Sequence, residues 1–399
     1  MNFPDGNNLG NDFATQLQQT LDLSRKTVVG VAAAIASPKL NWFGVSGIGN
    51  LNTSKPIETN DRFQIGSITK TFVATVVLQL MEEGKLTLES QITQFLPDSI
   101  IGLIPNAENI TIRQLLNQTS GVPDYTTPLL DFGNNLFREW EPEQLLEFTA
   151  GQTPAFAPGE SWQYSNSNYV LLGLIVEKIT GESIAREIRD RILDPLELSN
   201  TFFEGEEPIP GGFVSGYWDI NQDGRLDDLS FVTTSIFWSS GSIVSNTQDL
   251  LRFGKELFRG DLLQPDTLEQ MLTFVDAVGS RAFVKYGLGV AQLRSDKGVI
   301  YGHNGLTLGY RANLWYFPQE ELFYADLQNS RTINNFLEPI LNTALPILDE
   351  LGNPTVPSII YDEAISGDIS GDSSVPLVLE LQKGTNSLTA TSVRAIANM

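Results

Sequence analysis

The stretch Gly66-Ser67-Ile68-Thr69-Lys70 opens a strongly apolar segment of the chain. Ala74 and Leu78 leave this segment almost no polar face, and Gly84 follows it as an expected helix stop. The pattern therefore predicts a helix that is buried on most sides and organises the rest of the chain. Its apolar residues recur with a period close to 3.6, at Ile68, Phe72, Val73, Val76, Val77, Leu80 and Met81.

Two polar residues, Ser67 and Lys70, lie at the first turn of this predicted helix and, three residues apart, share one face. A buried lysine is costly to keep charged, so we expect its pKa to fall toward neutrality, where the amine is a base. A serine hydroxyl beside such a base, at a helix N-terminus, has the properties of a nucleophile. The alternative is a serine N-cap with a lysine that extends to solvent.

The composition disfavours two classes of binding partner. The chain has 399 residues and a net charge of −23, with 48 acidic against 25 basic residues. Nucleic acids and anionic membrane surfaces both attract clustered Lys and Arg, so neither is an expected partner. The sequence has no stretch with the apolar length of a membrane span and no visible signal peptide.

The side chains available for catalysis are also restricted. There is no cysteine, so thiol nucleophiles, disulfides and Cys-ligated zinc are excluded, and a single histidine, His303, excludes multi-histidine metal sites. A Ser-His-Asp triad would have to use that one histidine. For a hydrolase, a serine activated by lysine or tyrosine is the leading option that remains.

The pattern of elements predicts an α/β fold in the α+β sense, with an antiparallel sheet flanked by helices and an inserted all-helical part. Strands are predicted near both ends of the chain and helices in the middle. We expect residues 1–62 and 235–352 to form one discontinuous sheet-containing domain, and residues 63–234 a mainly helical domain that carries Ser67, Lys70 and Tyr164. Residues 353–399 are predicted to be a linker with a partial β-type tail.

The predicted helices are near Phe13 to Leu23, Ile68 to Gly84, Ile92 to Leu96, Ile112 to Leu116, Gln144 to Thr149, Tyr169 to Ile179, Gln248 to Phe258 and Ile333 to Leu351. The predicted strands are two between Val28 and Gly49, then Ser242 to Val244, Gly287 to Leu293, Val299 to His303, Ala312 to Phe317 and Leu322 to Leu327.

A second motif, Tyr164-Ser165-Asn166, lies between the turn Pro158-Gly159 and the onset of an apolar helical run. This setting predicts a short, fixed loop. A phenol near a lysine ammonium is expected to have a lowered pKa and to relay a proton, and the Asn166 amide can hold a substrate amide. The alternative is an ordinary turn with an asparagine cap and a core tyrosine.

A third motif, His303-Asn304-Gly305, ends a predicted strand. Gly305 allows a ligand to approach the backbone closely at the strand edge. A lone histidine near a strand end is otherwise typical of a structural residue with its hydrogen bonds satisfied.

The three motifs, in this order, make the chain similar to the serine penicillin-recognising enzymes, whose related signature is Ser-x-x-Lys, Ser-Asp-Asn and Lys-Thr-Gly. The Tyr-x-Asn form resembles the branch with class C β-lactamases, D-alanyl-D-alanine carboxypeptidases, D-aminopeptidases and certain esterases. The resemblance covers roughly residues 28–351 and implies a β-lactamase/transpeptidase-like fold. It includes the segments Ile110 to Leu116, Thr119 to Tyr125, Gly241 to Leu251 and Tyr286 to Gly289.

The resemblance implies a role for each motif residue. Ser67 would be the acylated nucleophile, Lys70 and Tyr164 would share general-base and general-acid work, and Asn166 would hold the substrate amide. His303 would face the substrate carboxylate or the Tyr164 oxygen. The oxyanion hole would consist of the N–H groups of Ser67 and Leu306, and the substrate-binding edge of His303, Asn304 and Gly305.

Two positions depart from this branch. Asn304 stands where Thr or Ser is more frequent, so a hydroxyl contact to a substrate carboxylate is missing. Gln118 stands where many relatives have histidine, away from the expected chemistry. A histidine at 303 instead of lysine favours a peptidase or esterase over an efficient β-lactamase.

A separate stretch resembles a calcium-binding loop. Asp219, Asn221, Asp223, Arg225 and Asp227 occupy alternate positions of a pattern similar to an EF-hand loop, with Gly224 at its turn. Position 12 holds a serine instead of a bidentate glutamate, so weak binding of a structural calcium is expected. The alternative is an Asx-rich turn.

The sequence thus predicts a serine hydrolase that forms an acyl-enzyme on Ser67 and needs no cofactor for its chemistry. A D-alanyl-D-alanine carboxypeptidase-like peptidase is the leading expectation, with an esterase or a class C-type β-lactamase as alternatives, and a catalytically silent binding protein as the alternative of another class. Small peptides, amides or esters, including cell-wall peptides, are the expected substrates. The tail 366–392 resembles a β-sandwich module of exported bacterial proteins, which favours a periplasmic or extracellular location.

Overall fold

A computed structural model of the protein describes residues 7–130, 138–260, 262–295, 298–331 and 335–352. The predicted linker and tail at 353–399 lie outside these residues. The α-helices are α1 Asn7–Ser24, α2 Thr69–Glu82, α3 Asp98–Ile101, α4 Ile112–Leu116, α5 Thr126–Leu130, α6 Pro142–Glu147, α7 Asn166–Thr180, α8 Ile184–Ile188, α9 Thr247–Arg259, α10 Pro265–Met271 and α11 Leu337–Gly352. The strands are β1 Gly30–Ala36, β2 Asn41–Asn50, β3 Lys55–Pro56, β4 Phe63–Gln64, β5 Phe202–Phe203, β6 Tyr217–Trp218, β7 Asp227–Asp228, β8 Ile243–Ser245, β9 Val275–Asp276, β10 Lys285–Tyr286, β11 Ala291–Ser295, β12 Gly298–Leu306, β13 Arg311–Phe317 and β14 Leu322–Gln328.

In the described part of the chain, one sheet contains nine strands in the order β3-β2-β1-β14-β13-β12-β11-β10-β9. Every neighbouring pair is antiparallel. The strands come from both ends of the sequence, since β1 pairs with β14 over Val31↔Gln328 to Ala36↔Phe323. This confirms the predicted fold class of an antiparallel sheet flanked by helices. The residue boundaries of the two predicted domains stay predictions.

The sheet is buried on both faces. Along β1, Ala32 and Ala34 belong to one apolar core, while Val31, Ala33 and Ile35 belong to the other. Successive strand side chains point to opposite faces, so a strand covered on both sides has a continuous apolar run. Helices α2 and α9 pack in the first core and α1 and α11 in the second.

Helix α2 is buried over nearly its whole length, as its apolar pattern predicts. It begins at Thr69, and a 3₁₀ turn at Gly66–Ile68 precedes it, so Ser67 lies in that turn. Gly66 has a φ of +51°, a left-handed conformation that glycine adopts at no steric cost. The chain thus turns sharply just before the helix and holds Ser67 at its entrance.

Two predicted elements differ from the structure. Residues Ile92–Gln94 form only a 3₁₀ turn instead of a longer helix. The strand predicted from Gly287 begins at Ala291, because the Gly287 N–H donates to the Val290 carbonyl in a tight turn. Among the described residues, no helix has the length and apolarity needed to span a lipid bilayer.

Candidate active site

The Lys70 side chain brings the motifs together. It is fully buried, and its Nζ donates to Ser67 Oγ at 3.1 Å, to Asn166 Oδ1 at 2.7 Å and to the Ser240 carbonyl at 2.8 Å. Tyr164 also lies beside it, with the ring centroid 4.9 Å from Nζ. The serine, lysine, tyrosine and asparagine of the first two motifs therefore share one site, as the sequence predicts.

Burial controls the protonation of Lys70. Desolvation lowers the pKa of its amine to about 7, and the nearby carboxylate of Asp124 partly opposes this by favouring the charged form. Near neutral pH, a large fraction of the amine is therefore uncharged. An uncharged amine 3.1 Å from the Ser67 hydroxyl is placed to accept its proton.

Tyr164 has the opposite pKa shift from the one predicted. Burial raises the pKa of the phenol well above its ordinary value, and Tyr286 contributes in the same direction. The Ser67 side chain favours the ionised form but does not outweigh burial. The predicted lowering by the lysine is therefore wrong, because a phenolate loses more in desolvation than its neighbours return.

The Tyr164 hydroxyl is not engaged in a standard hydrogen bond within the described part of the chain and is therefore available for proton transfer. It is buried and has no hydrogen bond of standard geometry to any of the described residues. Its pKa keeps it protonated at neutral pH. In this state the group is suited to donate a proton to a leaving atom.

Gln118 fixes the loop that carries Tyr164. Its Oε1 accepts from the Ser165 N–H at 2.9 Å and from Asn168 Nδ2 at 2.6 Å, and its carbonyl accepts from the Gln163 N–H at 3.1 Å. Gln118 itself has a φ of +69°. It therefore determines where Tyr164 lies, a positioning role that the sequence pattern did not indicate.

Asn166 connects Lys70 to a residue that sequence reasoning missed. Its Oδ1 accepts from Lys70, and its Nδ2 donates to the two carboxylate oxygens of Asp124 at 3.3 and 3.4 Å. Both ends of the amide, which was expected to hold a substrate amide, are thus already in contact with protein. The sequence clue to Asp124 is its place in the segment Thr119 to Tyr125, which is part of the family resemblance.

His303 lies beside Tyr164 but does not have the expected partner. Its Nδ1 bonds the Asn304 carbonyl and its Nε2 pairs with Tyr286 Oη at 2.9 Å. A carbonyl only accepts, so Nδ1 carries the proton and Nε2 accepts from the tyrosine. Burial lowers the pKa of the imidazole to about 3, so it is neutral. It packs against the Tyr164 ring, with centroids 6.2 Å apart, instead of bonding the Tyr164 oxygen.

Two glycines allow the end of β12 to lie directly against the Ser67 turn. A Cβ at Gly305 would lie 1.8 Å from the Ile65 carbonyl oxygen and 3.2 Å from the Ser67 nitrogen. A Cβ at Gly66 would lie 2.7 Å from the Leu306 nitrogen. This contact places the backbone at Ser67 close to the backbone at Leu306, the two residues whose N–H groups would form the oxyanion hole that the family resemblance implies.

A cavity of about 620 Å³ opens next to Ser67. Asn304, predicted for the substrate-binding edge, and Leu306, predicted as an oxyanion-hole donor, both line it from β12. Much of the remaining wall is aromatic or small and apolar. The lining residues are Ser67, Phe156, Trp162, Gln163, Tyr164, Val278, Gly279, Ser280, Arg281, Ala282, Phe283, Asn304 and Leu306.

The predicted calcium loop connects β6 and β7. The Asp219 carboxylate accepts from the N–H groups of Asp223 and Gly224, both at 3.0 Å, and Asn221 Nδ2 donates to Asp227 Oδ2 at 3.2 Å. These are contacts of an Asx-rich turn. Over the described ranges, no group of three or more His, Asp or Glu side chains is arranged to hold a metal ion. Calcium binding at this loop, in which Arg225 lies next to Asp223, stays a prediction.

The family model described as Beta-lactamase matches residues 13–338, most of the chain. The chain belongs to this beta-lactamase family. The match confirms the predicted resemblance to serine penicillin-recognising enzymes, and it makes the protein a serine hydrolase of the β-lactamase and penicillin-binding protein type. Penicillin-binding protein 4* of Bacillus subtilis (strain 168) is 28% identical over 321 residues, which cover 76% of this chain and 68% of that protein.

Solved structures agree with this family. A D-stereospecific amidohydrolase from Streptomyces sp. superposes with a TM-score of 0.75 at 30% identity, covering 83% of this chain and 98% of that one. The D-amino acid amidase from Ochrobactrum anthropi SV3, complexed with L-phenylalanine amide, has a TM-score of 0.74 at 25% identity, covering 87% and 99%. The predicted β-lactamase/transpeptidase-like fold is thereby confirmed.

Proposed function

We propose that this beta-lactamase family member is a D-alanyl-D-alanine carboxypeptidase-like peptidase that works through an acyl-enzyme on Ser67. The observation that carries the proposal is the 3.1 Å contact between Lys70 Nζ and Ser67 Oγ, made by an amine whose pKa is lowered to about 7. A nucleophile and its base are thus already in contact.

In the proposed acylation, uncharged Lys70 accepts the hydroxyl proton while Ser67 Oγ attacks the carbonyl carbon of the scissile amide. The N–H groups of Ser67 and Leu306 stabilise the resulting oxyanion. The Tyr164 hydroxyl donates its proton to the amide nitrogen, the C–N bond breaks, and the amine leaves. The proton on Lys70 then restores the phenol.

In the proposed deacylation, a water molecule attacks the ester carbonyl of the acyl-enzyme. The lysine and tyrosine pair takes one water proton and returns it to Ser67 Oγ as the C–O bond to the serine breaks. The acid leaves and the enzyme is regenerated. Each proton is carried by a named side chain, so this scheme needs no metal or organic cofactor, and a calcium ion at the Asp219 loop would be structural.

The names of the structural neighbours support hydrolysis of an amide bond but do not identify the substrate of this protein. Two structural neighbours are a D-stereospecific amidohydrolase and a D-amino acid amidase. Small D-amino acid amides are therefore a second candidate substrate class beside D-alanyl-D-alanine peptides. Esterase and β-lactamase activities remain alternatives because the same acyl-enzyme serves all of them. A role on cell-wall peptides would place the protein in the periplasm or outside the cell.

The test is intact-mass analysis after treatment with a fluorophosphonate or a penicillin, followed by a substrate panel. We expect a covalent adduct on Ser67 and none on the Ser67→Ala variant. The panel contains D-alanyl-D-alanine peptides, D-amino acid amides, short esters and a chromogenic cephalosporin. Absence of any adduct would favour a catalytically silent binding protein, and turnover of amides alone would replace the carboxypeptidase proposal by an amidase.

A further inference from the structure

The loop between β9 and β10, residues 277–284, forms one wall of the cavity beside Ser67. The Ala277 N–H donates to the Val284 carbonyl at 3.0 Å, which closes the loop. Ser280 Oγ accepts from the N–H groups of Ala282 and Phe283 at 3.1 and 2.9 Å. These contacts on both sides of Arg281 fix its backbone.

Phe283 fastens this loop to the catalytic side of the cavity. Its buried ring lies 5.3 Å from His303, 5.6 Å from Tyr286 and 6.1 Å from Tyr164, measured between centroids. Arg281, two residues earlier in the chain, is therefore held at a set position relative to the Tyr164 side chain.

Arg281 is the one formally charged residue among the described residues that line this cavity. Its side chain is exposed, and none of the described carboxylates forms an ion pair with it. A guanidinium without an internal partner, beside a partly apolar wall, is suited to bind an anion from solution in a bidentate manner.

The strand that was expected to bind a substrate carboxylate carries no positive charge. His303 is buried, and both its nitrogens are paired, with Tyr286 and with the Asn304 carbonyl. Asn304 lines the cavity with a neutral amide. A substrate carboxylate in this cavity would therefore find a positive charge not on β12 but on the 277–284 loop, at Arg281.

We propose that Arg281 binds the free carboxylate of the substrate and makes the enzyme prefer peptide acids over the corresponding peptide amides. This inference deepens the proposed carboxypeptidase function and rests on it for the identity of the substrate. Arg281 is here a specificity-determining residue and takes no part in proton transfer.

The experiment measures inhibition constants of N-acetyl-D-alanyl-D-alanine and of its C-terminal amide against hydrolysis of p-nitrophenyl acetate. The wild type, Arg281→Gln, Arg281→Lys and Lys285→Gln are compared. Lys285→Gln is the matched control, because it removes the same charge from the same hairpin while its ion pair with Asp276, at 3.3 Å, lies outside the cavity lining.

We expect the wild type to bind the acid more tightly than the amide, and Arg281→Gln to reduce this preference by about tenfold. Arg281→Lys should retain part of the preference and Lys285→Gln all of it. The inference is overturned if Arg281→Gln leaves the preference for the acid over the amide unchanged, or if Lys285→Gln reduces that preference equally. It is also overturned if the wild type shows no such preference.

The same samples separate this inference from the proposed function. Release of D-alanine from the acid peptide by the wild type reports carboxypeptidase activity directly. If no D-alanine is released but the preference for the acid depends on Arg281, the carboxypeptidase proposal fails and the carboxylate site stands. If D-alanine is released but the preference for the acid does not depend on Arg281, the carboxypeptidase proposal stands and the carboxylate site at Arg281 fails.

Discussion

Replacing Lys70 by methionine should change how the stability of the protein depends on pH. In the folded protein, burial lowers the pKa of this lysine to about 7, whereas an unfolded chain has the ordinary value near 10.4. Between these values the unfolded state binds more protons than the folded state. The free energy of unfolding therefore rises with pH across this window.

The size of this effect follows from the two pKa values. Between pH 6 and pH 9, the lysine contributes a gain of about 3 kcal/mol in the wild type that the Lys70→Met variant lacks. The variant also loses the hydrogen bonds to Asn166 and the Ser240 carbonyl, but that loss is the same at both pH values.

The measurement is urea unfolding of both proteins at several pH values from 6 to 9, with Lys285→Met as a control at a partly exposed ion pair. Only the difference between wild type and variant is interpreted, so other titrating groups cancel. Parallel curves for wild type and Lys70→Met would refute a lysine of lowered pKa, and with it the proposed base. Turnover should be lost in this variant, and the wild-type kcat/KM should rise with pH around 7.

Three further predictions concern other parts of the site. Tyr164→Phe should slow peptide hydrolysis at least about 10²-fold, with a smaller effect on p-nitrophenyl esters, whose leaving group needs no proton; equal rates on peptides would remove the phenol from the mechanism. Gly305→Ala places a Cβ 1.8 Å from the Ile65 carbonyl oxygen and should reduce kcat about 10²-fold or more, whereas Gly102→Ala, with its nearest atom at 3.2 Å, serves as the control that should retain activity. The calcium prediction expects that EGTA lowers the melting temperature of the calcium-treated protein and that Asp219→Asn abolishes this shift; a melting temperature that does not respond to EGTA would leave the loop an ordinary turn.

Local patterns were sufficient for most of the elements and for the catalytic motifs. The apolar period after Ser67 predicts helix α2 because the buried stripe is a property of neighbouring residues. The sequence also predicts a sheet that combines strands from both ends of the chain, because the segments with a strand pattern lie near the two ends. Motif order then predicted that Ser67, Lys70 and Tyr164 meet, and their contacts in the structure agree with this.

Properties that depend on distant neighbours could not be read from the sequence. The pKa of Tyr164 rises because the phenol is buried, with a further contribution from Tyr286, and no spacing in the sequence indicates that burial. His303 pairs with Tyr286 across 17 positions, and Asn166 contacts Asp124 across 42. Gln118, interpreted as remote from the chemistry, fixes the Tyr164 loop through contacts at a distance of about 47 positions.

The close approach of Gly66 and Gly305 has a consequence for the timing of activity during biosynthesis. Ser67 and Lys70 are synthesised early, but in the proposed mechanism the second backbone donor of the oxyanion hole belongs to Leu306, some 240 positions later. Until β12 packs against the turn at Gly66–Ile68, a nascent chain would have the proposed nucleophile but only one of the two proposed oxyanion-hole donors. Such non-local contacts form slowly, because a long loop must close before they can be made. Reactivity toward a covalent probe should therefore appear only as the last strands close, so that labelling of this serine reports completed folding.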